Sequence, residues 1–314
     1  MDNLKINVNK IFHLTGHQAA VYALAASEDP KLIYTGSSDK MIARWNIAEK
    51  KADNFAATMP LAVYQLFYDS KLTRIYAGSG GGAVHVIDLT AKKEIKNLIL
   101  HPNAAIFDLI KVEKLNLIIS AAADGTIAAI DADNFDLIAK NKLCEQKIRS
   151  LCFIESSDVL LAASGDGFIR VLELPTLKVV NEFYAHGLSA NKVIKHPTKD
   201  IILSGGRDAH LNIIEWPSCK IIEKIPAHNF AIYDIAFHPE NSLFATASRD
   251  KTIKIWDANN LQFLYRIDKE KNEGHINSVN KLLWSKFENT LVSTGDDRSI
   301  MGWQINTEND DPAC

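Results

Sequence analysis

An aspartate that returns at nearly constant spacing is the feature that most restricts how this chain can fold. Three aspartates stand six residues before a tryptophan: Asp39, Asp250 and Asp297. Stepping along the chain completes a column of seven positions: Asp39, Gly81, Asp124, Asp166, Asp208, Asp250 and Asp297. The intervals are 42, 43, 42, 42, 42 and 47 residues. Such a period predicts a repeat protein in which each copy is one supersecondary unit.

Two further columns keep step with this Asp column. Histidine stands 22 residues before it in four copies: His17, His186, His228 and His275. A hydroxyl residue stands four residues before it in five copies: Thr35, Ser120, Ser204, Thr246 and Ser293. Between these positions run short β-branched segments separated by turn residues, such as residues 21–27, 32–38 and 41–47. The pattern predicts four short strands per copy and no long helix.

These residues carry a family resemblance that covers nearly the whole chain. The segment SRDKTIKIWD at residues 248–257, with the Gly-His pairs at 16–17 and 274–275, closely resembles the WD40 repeat. The resemblance implies an all-β fold, a seven-bladed β-propeller with four-stranded antiparallel blades around a central channel. Copies two to four rest on spacing alone, because their His column holds Met59, Pro102 and Cys144.

The copies predict one propeller domain over residues 1–306. The expected blades lie near residues 15–57, 58–99, 100–142, 143–184, 185–226, 227–268 and 274–306. The last copy ends on its third strand at residues 301–305, whereas residues 1–14 precede the first blade and have no blade of their own. We therefore expect residues 1–14 to close the last blade as its outermost strand. Residues 307–314 are expected to form a flexible acidic tail.

The resemblance also implies that the histidine, hydroxyl, aspartate and tryptophan of one copy form a hydrogen-bonded chain. The complete sets are His17/Thr35/Asp39/Trp45, His228/Thr246/Asp250/Trp256 and His275/Ser293/Asp297/Trp303, and His186/Ser204/Asp208 is a set without its tryptophan. A Ser, a His and an Asp together could suggest a hydrolase, but a catalytic triad is needed only once. Since the set recurs in four copies, we interpret it as structural and expect no catalytic residues.

Composition excludes several other classes of function. Net charge is −3, and no Lys/Arg-rich tract or run of 18 apolar residues occurs, so nucleic-acid and membrane binding are not expected. The four cysteines have no regular spacing, which argues against a disulfide framework or a zinc site. Five further histidines lie scattered in different copies: His85, His101, His196, His210 and His238. We expect no metal, no cofactor, and a cytoplasmic protein that is a monomer by itself.

In WD-repeat proteins the narrower face of the propeller often binds short peptides, and three positions per blade reach it. Five residues after the His column stand Tyr22, Tyr64, Phe107, Arg149, Asn191, Tyr233 and Asn280. Three residues after it stand Ala20, Ala62, Ala105, Lys147, Ser189, Ala231 and Ser278. Directly before the Asp column stand Ser38, Gly80, Ala123, Gly165, Arg207, Arg249 and Asp296.

These positions divide into an aromatic group and a basic group. The aromatic side chains Tyr22, Tyr64 and Phe107 have small neighbours, whereas the basic ones come from copies four to six. The pattern favours a non-enzymatic scaffold that binds a protein or peptide, with an acidic residue on the basic group and an apolar anchor on the rings. The expected partner-binding residues are Tyr22, Tyr64, Phe107, Lys147, Arg149, Asn191, Arg207, Tyr233, Arg249, Asn280 and Asp296.

Alternatives remain open at this point. The rings could merely plug the channel, with the basic side chains solvated. Single-stranded nucleic acid could stack on the rings, or the face could hold an active site.

One further expectation concerns the last interval of the Asp column, which is 47 residues long. The extra residues fall in the charged segment at residues 268–273, which predicts a mobile loop beside the same face.

Overall fold

Seven four-stranded sheets make up the fold. The computed structural model describes residues 6–240 and 242–307. Each sheet is an antiparallel blade, which confirms the predicted seven-bladed β-propeller. The chain divides into two compact units, Met59–Ile232 and the flanking pair Met1–Thr58 with Tyr233–Cys314. We call them the 59–232 unit and the terminal unit.

The 59–232 unit contains blades 2 to 5. Blade 2 comprises β6 (Val63–Asp69), β7 (Arg74–Ser79), β8 (Ala83–Asp88) and β9 (Lys93–Ile99). Blade 3 comprises β10 (Ile106–Val112), β11 (Leu117–Ala122), β12 (Thr126–Asp131) and β13 (Leu137–Lys142), with a 3-10 turn at Glu113–Leu115. Blade 4 comprises β14 (Ile148–Ile154), β15 (Val159–Ser164), β16 (Phe168–Glu173) and β17 (Lys178–Tyr184). Blade 5 comprises β18 (Ala190–Lys195), β19 (Ile201–Gly206), β20 (His210–Glu215) and β21 (Ile221–Pro226).

The terminal unit contains the other three blades. Blade 1 comprises β2 (Val21–Ala26), β3 (Leu32–Ser37), β4 (Met41–Asn46) and β5 (Lys51–Thr58). Blade 6 comprises β22 (Ile232–Phe237), which begins at the unit boundary, β23 (Leu243–Ser248), β24 (Ile253–Asp257) and β25 (Phe263–Ile267). Blade 7 comprises β26 (Val279–Trp284), β27 (Leu291–Gly295), β28 (Ile300–Thr307) and β1 (Ile6–Leu14).

Burial explains the sequence pattern of each strand. The middle strands are covered by neighbouring sheets on both faces, so β11 reads LIISAA and all six residues are buried. The outermost strands alternate, as in β5, whose residues switch between exposed and half-buried. The apolar side chains therefore fill the spaces between adjacent blades, as between blades 3 and 4 in the 59–232 unit.

Blade 7 is completed by the start of the chain. Strand β1 pairs antiparallel with β28, from Ile6 opposite Thr307 to Leu14 opposite Ile300. This confirms the predicted closing strand for residues 6–14, while residues 1–5 and 308–314, including most of the predicted tail, lie outside the described residues. The Phe12 ring packs on Gly302, where an added Cβ would lie 2.1 Å from Phe12 Cε1. Glycine at 302 is what lets this ring reach the backbone of β28.

The insertion between blades 6 and 7 differs from the predicted loop. It forms one helical turn, α1 (Lys269–Asn272), with Asp268 as the N-cap accepting a hydrogen bond from Lys271 N–H. Asp268 also pairs with Arg266 at 2.5 Å, and Glu273 pairs with Lys10 of β1 at 2.6 Å. The segment predicted to be a mobile loop thus contains a capped helical turn, in which the Asp268 carboxylate accepts from one of the free amides of that turn.

Removing the closing strand should unfold the protein at a lower temperature. We expect deletion of residues 1–12 to lower the melting temperature sharply, because buried Val8 and Phe12 are lost and the β28 edge is exposed. Phe12→Ala alone should cost about 3 kcal/mol. Asn9→Ala, an exposed position on the same strand, is the matched control. A truncated protein that melts within a degree or two of the full-length chain would contradict this account.

Candidate functional site

A repeated backbone hydrogen bond brings two of the three predicted face positions together. The N–H of the residue before the Asp column donates to the carbonyl of the residue three after the His column. The pairs are Ser38–Ala20, Gly80–Ala62, Ala123–Ala105, Gly165–Lys147, Arg207–Ser189 and Asp296–Ser278, at 2.7–3.0 Å. In these six blades the turn between the second and third strands is therefore joined to the loop that precedes the innermost strand.

The third face position lies at a β-bulge. In blades 1 to 5 and 7, the pairing of the innermost strand with its neighbour skips one residue, five after the His column. The skipped residues are Tyr22, Tyr64, Phe107, Arg149, Asn191 and Asn280. A bulge leaves one residue unpaired and turns its side chain away from the regular alternation of the strand. This repeated irregularity gives the side chains of this column a direction that strand alternation would not give.

The turn itself requires a left-handed residue after the Asp column. All seven such residues have positive φ, from +65° at Ala209 to +87° at Gly167. Blades 2 to 4 use glycine, and at Gly82 an added Cβ would lie 1.5 Å from the carbonyl oxygen of His101. In that blade the next loop closes directly over the turn, which only glycine permits.

Blade 1 contains a complete hydrogen-bonded tetrad. His17 Nδ1–H donates to Asp39 Oδ2 at 2.8 Å, since an ionised carboxylate can only accept. His17 Nε2 then accepts from Thr35 Oγ1 at 2.8 Å, and Trp45 Nε1–H donates to Thr35 Oγ1 at 2.7 Å. Burial favours a raised pKa for Asp39, but hydrogen bonds from Gln18 N–H and His17 keep its pKa below the ordinary value. The carboxylate thus fixes the imidazole and the loop backbone together.

Blade 7 repeats this tetrad with serine in place of threonine. His275 Nδ1 lies 2.9 Å from both oxygens of Asp297, and its Nε2 lies 2.9 Å from Ser293 Oγ. Trp303 Nε1–H donates to Ser293 Oγ at 2.9 Å, and Ile276 N–H donates to Asp297 Oδ2 at 2.9 Å. The side chains of His275 and Asp297 are almost completely buried. The polar groups of His275 and Asp297 are therefore used in hydrogen bonds within the fold.

Blade 5 keeps the histidine and aspartate without the tryptophan. His186 Nδ1 lies 2.9 Å from Asp208 Oδ1, and its Nε2 lies 2.9 Å from Ser204 Oγ. Gly187 N–H donates to Asp208 Oδ2 at 3.0 Å. Although burial favours the neutral form, the hydrogen bond and charge of His186 lower the pKa of Asp208 to about 2. In place of the indole, Ser204 Oγ–H donates to the carbonyl of Lys192 at 2.9 Å.

In blade 6 the tryptophan and the hydroxyl residue of the predicted tetrad are hydrogen-bonded. Trp256 Nε1–H donates to Thr246 Oγ1 at 3.0 Å. Thr252 Oγ1–H and N–H both donate to Asp250 Oδ1, at 2.6 and 3.0 Å. His228 is buried, with 7% of its surface exposed.

Blade 3 contains a hydrogen-bonded set that the column spacing does not predict. His101, one residue before the His column, places Nε2 2.9 Å from Ser120 Oγ and Nδ1 2.5 Å from Thr126 Oγ1. Thr126 Oγ1–H in turn donates to Asp124 at 2.7 Å. Burial lowers the pKa of His101 to about 4, so the ring is neutral at physiological pH. Two features of the sequence indicate this set of bonds: Ser120 stands in the hydroxyl column, and His101 stands one residue before the His column.

Blade 4 uses an arginine where other blades use histidine. Arg170 is buried and donates to both oxygens of Asp166, at 3.2 and 2.7 Å, and to Ser164 Oγ at 2.9 Å. Glu182 lies 3.0 Å from its Nε. Burial favours a lower pKa for Arg170, but the bonds to Asp166 raise it. Sequence reasoning missed this residue because it stands on the third strand, away from the His column.

The 59–232 unit brings aromatic and basic face residues into contact. The rings of Tyr64 and Phe107 meet edge to face, with centroids 5.5 Å apart. Lys147 Nζ lies 5.5 Å and Arg149 Cζ lies 5.2 Å from the centroid of Phe107. Tyr64, Phe107 and Arg149 are half-buried and Lys147 is exposed. We call these four residues the Phe107 cluster.

Small residues lie beside this cluster. Gly80 lies next to Tyr64, so that an added Cβ would lie 3.4 Å from Tyr64 Cε2. Ala62 and Ala105 supply the loop carbonyls of blades 2 and 3. Two predicted members of the same unit lie elsewhere: Arg207 is exposed on the blade 5 turn, whereas Asn191 is buried and donates from Nδ2 to the carbonyl of Ile232 at 2.9 Å. The Asn191 amide is therefore hydrogen-bonded to backbone within this unit, and its part in partner binding stays a prediction.

In the terminal unit the predicted face residues are partly engaged with one another. Asn280 Nδ2 donates to Asp296 Oδ1 at 2.8 Å and to the carbonyl of Val21 at 3.1 Å. Tyr22 and Tyr233 are half-buried, and Arg249 is exposed. The bonds of Asn280 show that this amide joins blades 7 and 1.

The described residues contain no group of three His, Cys, Asp or Glu side chains placed to hold a metal ion. Neither helical segment within residues 6–240 and 242–307 has the length and apolar character needed to span a membrane.

Comparison with known families agrees with this geometry. The family model described as WD domain, G-beta repeat matches the chain over residues 8–46, 219–257 and 268–304. These segments carry the tetrads of blades 1, 6 and 7, whereas the altered copies between them are unmatched. A search of curated proteins found no match to the chain. The three repeats and the seven four-stranded blades together identify the chain as a WD40-repeat β-propeller.

The tetrads predict a class of mutation that affects stability. Asp39→Ala should lower the free energy of unfolding by about 1–3 kcal/mol, because buried His17 loses a charge-assisted acceptor. Trp45→Phe should also destabilise, by loss of its bond to Thr35. Asp29→Ala, an exposed turn aspartate, is the control. Denaturant unfolding measures all three. Unchanged stability for Asp39→Ala would refute the structural interpretation of the tetrads.

The neutral His101 predicts a loss of stability in acid. An unfolded histidine takes up a proton near pH 6.5, whereas the folded pKa is about 4. Between these values only the unfolded chain binds the proton, so stability should fall as pH is lowered from 6.5 to 4. The advantage of wild type over His101→Gln should shrink by on the order of 2 kcal/mol between pH 7 and 4.5. A gap that stays constant with pH would contradict this.

Proposed function

We propose that this protein is a non-enzymatic interaction scaffold whose Phe107 cluster binds a peptide segment with an acidic residue beside an aromatic or apolar anchor. WD40 propellers generally bind protein partners, and the cluster is the observation that carries the finer proposal. It places two cations and two rings within one small area of the 59–232 unit.

The basic half of the cluster suits a carboxylate. Lys147 and Arg149 both lie within 6 Å of the Phe107 centroid, so one acidic group can meet both cations. An arginine fork can also bind a carboxylate with two parallel hydrogen bonds. The contacts with Phe107 restrict both side chains before binding, which reduces the entropy lost when a ligand is ordered.

The aromatic half suits an anchor. Tyr64 and Phe107 present half-buried rings, and the small residues Gly80, Ala62 and Ala105 stand close to them on the same turns and loops. Rings and arginines dominate the energetics of protein interfaces. An anchor packed there would be desolvated, and such contacts typically cost about 2 kcal/mol or more when truncated.

Two other classes of function find less support. Single-stranded nucleic acid would use the same rings and cations, but the net charge of −3 gives no general attraction to phosphate. An active site would need catalytic groups beside the cluster. Within the 59–232 unit, His101 and His186 are already hydrogen-bonded to Ser120 and Ser204.

A labelled peptide tests the proposal. The probe is a fluorescein peptide with a Trp-Asp core in a Gly-Ser context, with Trp-Asn and Ala-Asp cores as ligand controls. Tyr64→Ala should weaken binding about 30-fold, or about 2 kcal/mol, with little dependence on salt. Lys147→Glu with Arg149→Glu should abolish it, and the wild-type affinity should fall as salt rises.

Matched control variants distinguish an effect of the Phe107 cluster from a general effect of changing surface residues. Tyr184→Ala and the pair Lys178→Glu with Lys224→Glu change exposed residues on outermost strands and should leave affinity unchanged. Thermal melts verify folding of every variant. Equal loss with the control variants, or tighter binding of a single-stranded oligonucleotide, would overturn the proposal. So would full binding after the charge reversal, which would mean that the cations are merely solvated.

A further inference from the structure

The 59–232 unit has a second group of exposed side chains on the turn of blade 5 and the loops beside it. Leu188 is 52% exposed and Phe230 is 57% exposed. They occupy the same position in successive loops, two residues after the His column. Arg207, on the turn between β19 and β20, is exposed as well. Two large exposed apolar residues on adjacent loops, with an arginine on the turn between the loops, supply the apolar and cationic groups that are typical of protein interfaces.

Backbone hydrogen bonds place the turn that carries Arg207 between the loops that carry the two apolar residues. Arg207 N–H donates to the carbonyl of Ser189, next to Leu188, at 2.8 Å. Two residues further, the carbonyl of Ala209 accepts from Ala227 N–H and His228 N–H, both at 3.2 Å. The turn that carries Arg207 is thus bonded on one side to the Leu188 loop and on the other side to the loop that carries Phe230.

The turn is also fixed from within. Asp208 accepts hydrogen bonds from His186 and from Gly187 N–H, so its charge is used in holding the Leu188 loop. The neighbouring Arg207, by contrast, is exposed on the same turn. A rigid frame with an exposed cation between two exposed apolar side chains needs little reorganisation to bind.

We propose that Leu188, Arg207 and Phe230 form a docking site for an extended protein segment of the pattern apolar-x-acidic-x-apolar. In an extended chain, residues i, i+2 and i+4 point to the same side, so the three outer side chains face the site together. The apolar residues of the segment then lie about 13 Å apart, one on each side of the carboxylate. The carboxylate pairs with the guanidinium of Arg207, and the apolar residues pack on Leu188 and Phe230.

This site goes beyond the proposed function and does not depend on it. It uses none of the four residues of the Phe107 cluster. A protein can therefore carry both sites, either one, or neither, and different variants separate these cases.

The test uses the full chain and a fluorescein peptide with a Leu-Ser-Asp-Ser-Phe core in a Gly-Ser context. Fluorescence polarisation should show saturable binding, and replacing Asp by Asn in the peptide should weaken it. Arg207→Glu, and separately Leu188→Ser with Phe230→Ser, should each weaken binding about tenfold or more. Tyr64→Ala should leave this peptide unaffected, whatever it does to the Trp-Asp peptide.

Matched variants exclude general surface effects. Ile222→Ser removes an apolar side chain that is 54% exposed on β21, and Lys220→Glu reverses an exposed charge beside it. Neither should change affinity, and hydrogen exchange should show protection in residues 186–190 and 227–231. The inference is overturned by absence of binding, by equal effects of the control variants, or by protection elsewhere. Concentration-dependent dimerisation that Leu188→Ser abolishes would also overturn it, by showing that a second copy covers this surface.

Discussion

The backbone hydrogen bond between turn and loop is the constraint on which the rest of this structure depends. In six blades it joins the residue before the Asp column to the loop that enters the innermost strand. Because the bond uses only backbone atoms, the side chains at both positions can vary without loss of the frame. The neighbouring bulge gives the third position the same freedom. A conserved geometry can thus carry Gly80 in one blade and Arg207 in another, and the chemistry of the face is set by these choices.

The side-chain hydrogen bonds to the turn aspartate are made by different residues in different blades. Blades 1 and 7 use histidine, hydroxyl, aspartate and tryptophan together, and blade 5 omits the tryptophan. Blade 3 inserts Thr126 between His101 and Asp124, and blade 4 replaces the imidazole with the guanidinium of Arg170. What all five share is a turn aspartate that accepts a hydrogen bond from a hydroxyl or a cationic or imidazole group. The residues of the motif can therefore differ between blades while the turn aspartate remains hydrogen-bonded.

This explains what could be predicted from sequence. Spacing predicted the blades and the closing strand correctly, because insertion in a strand would shift every side chain to the wrong face. The roles of His101 and Arg170 were not predicted, because neither residue stands in the His column. Helix α1 depends on a local cap at Asp268, and the amides of Asn191 and Asn280 depend on backbone partners in neighbouring blades. Leu188 and Phe230 escaped prediction because they stand two residues after the His column, which is not one of the three positions that the resemblance assigns to the narrow face.

The most direct test of the central claim is a hydrogen-exchange map of the protein with the Trp-Asp peptide bound. If the loop ends of blades 2 to 4 form the binding surface, protection should be concentrated at residues 61–65, 104–108 and 146–150. It should vanish when Tyr64→Ala and Lys147→Glu are combined. Protection confined to the outermost strands β13 and β17, with those three segments unchanged, would contradict the account and place the interaction on the edges of the blades.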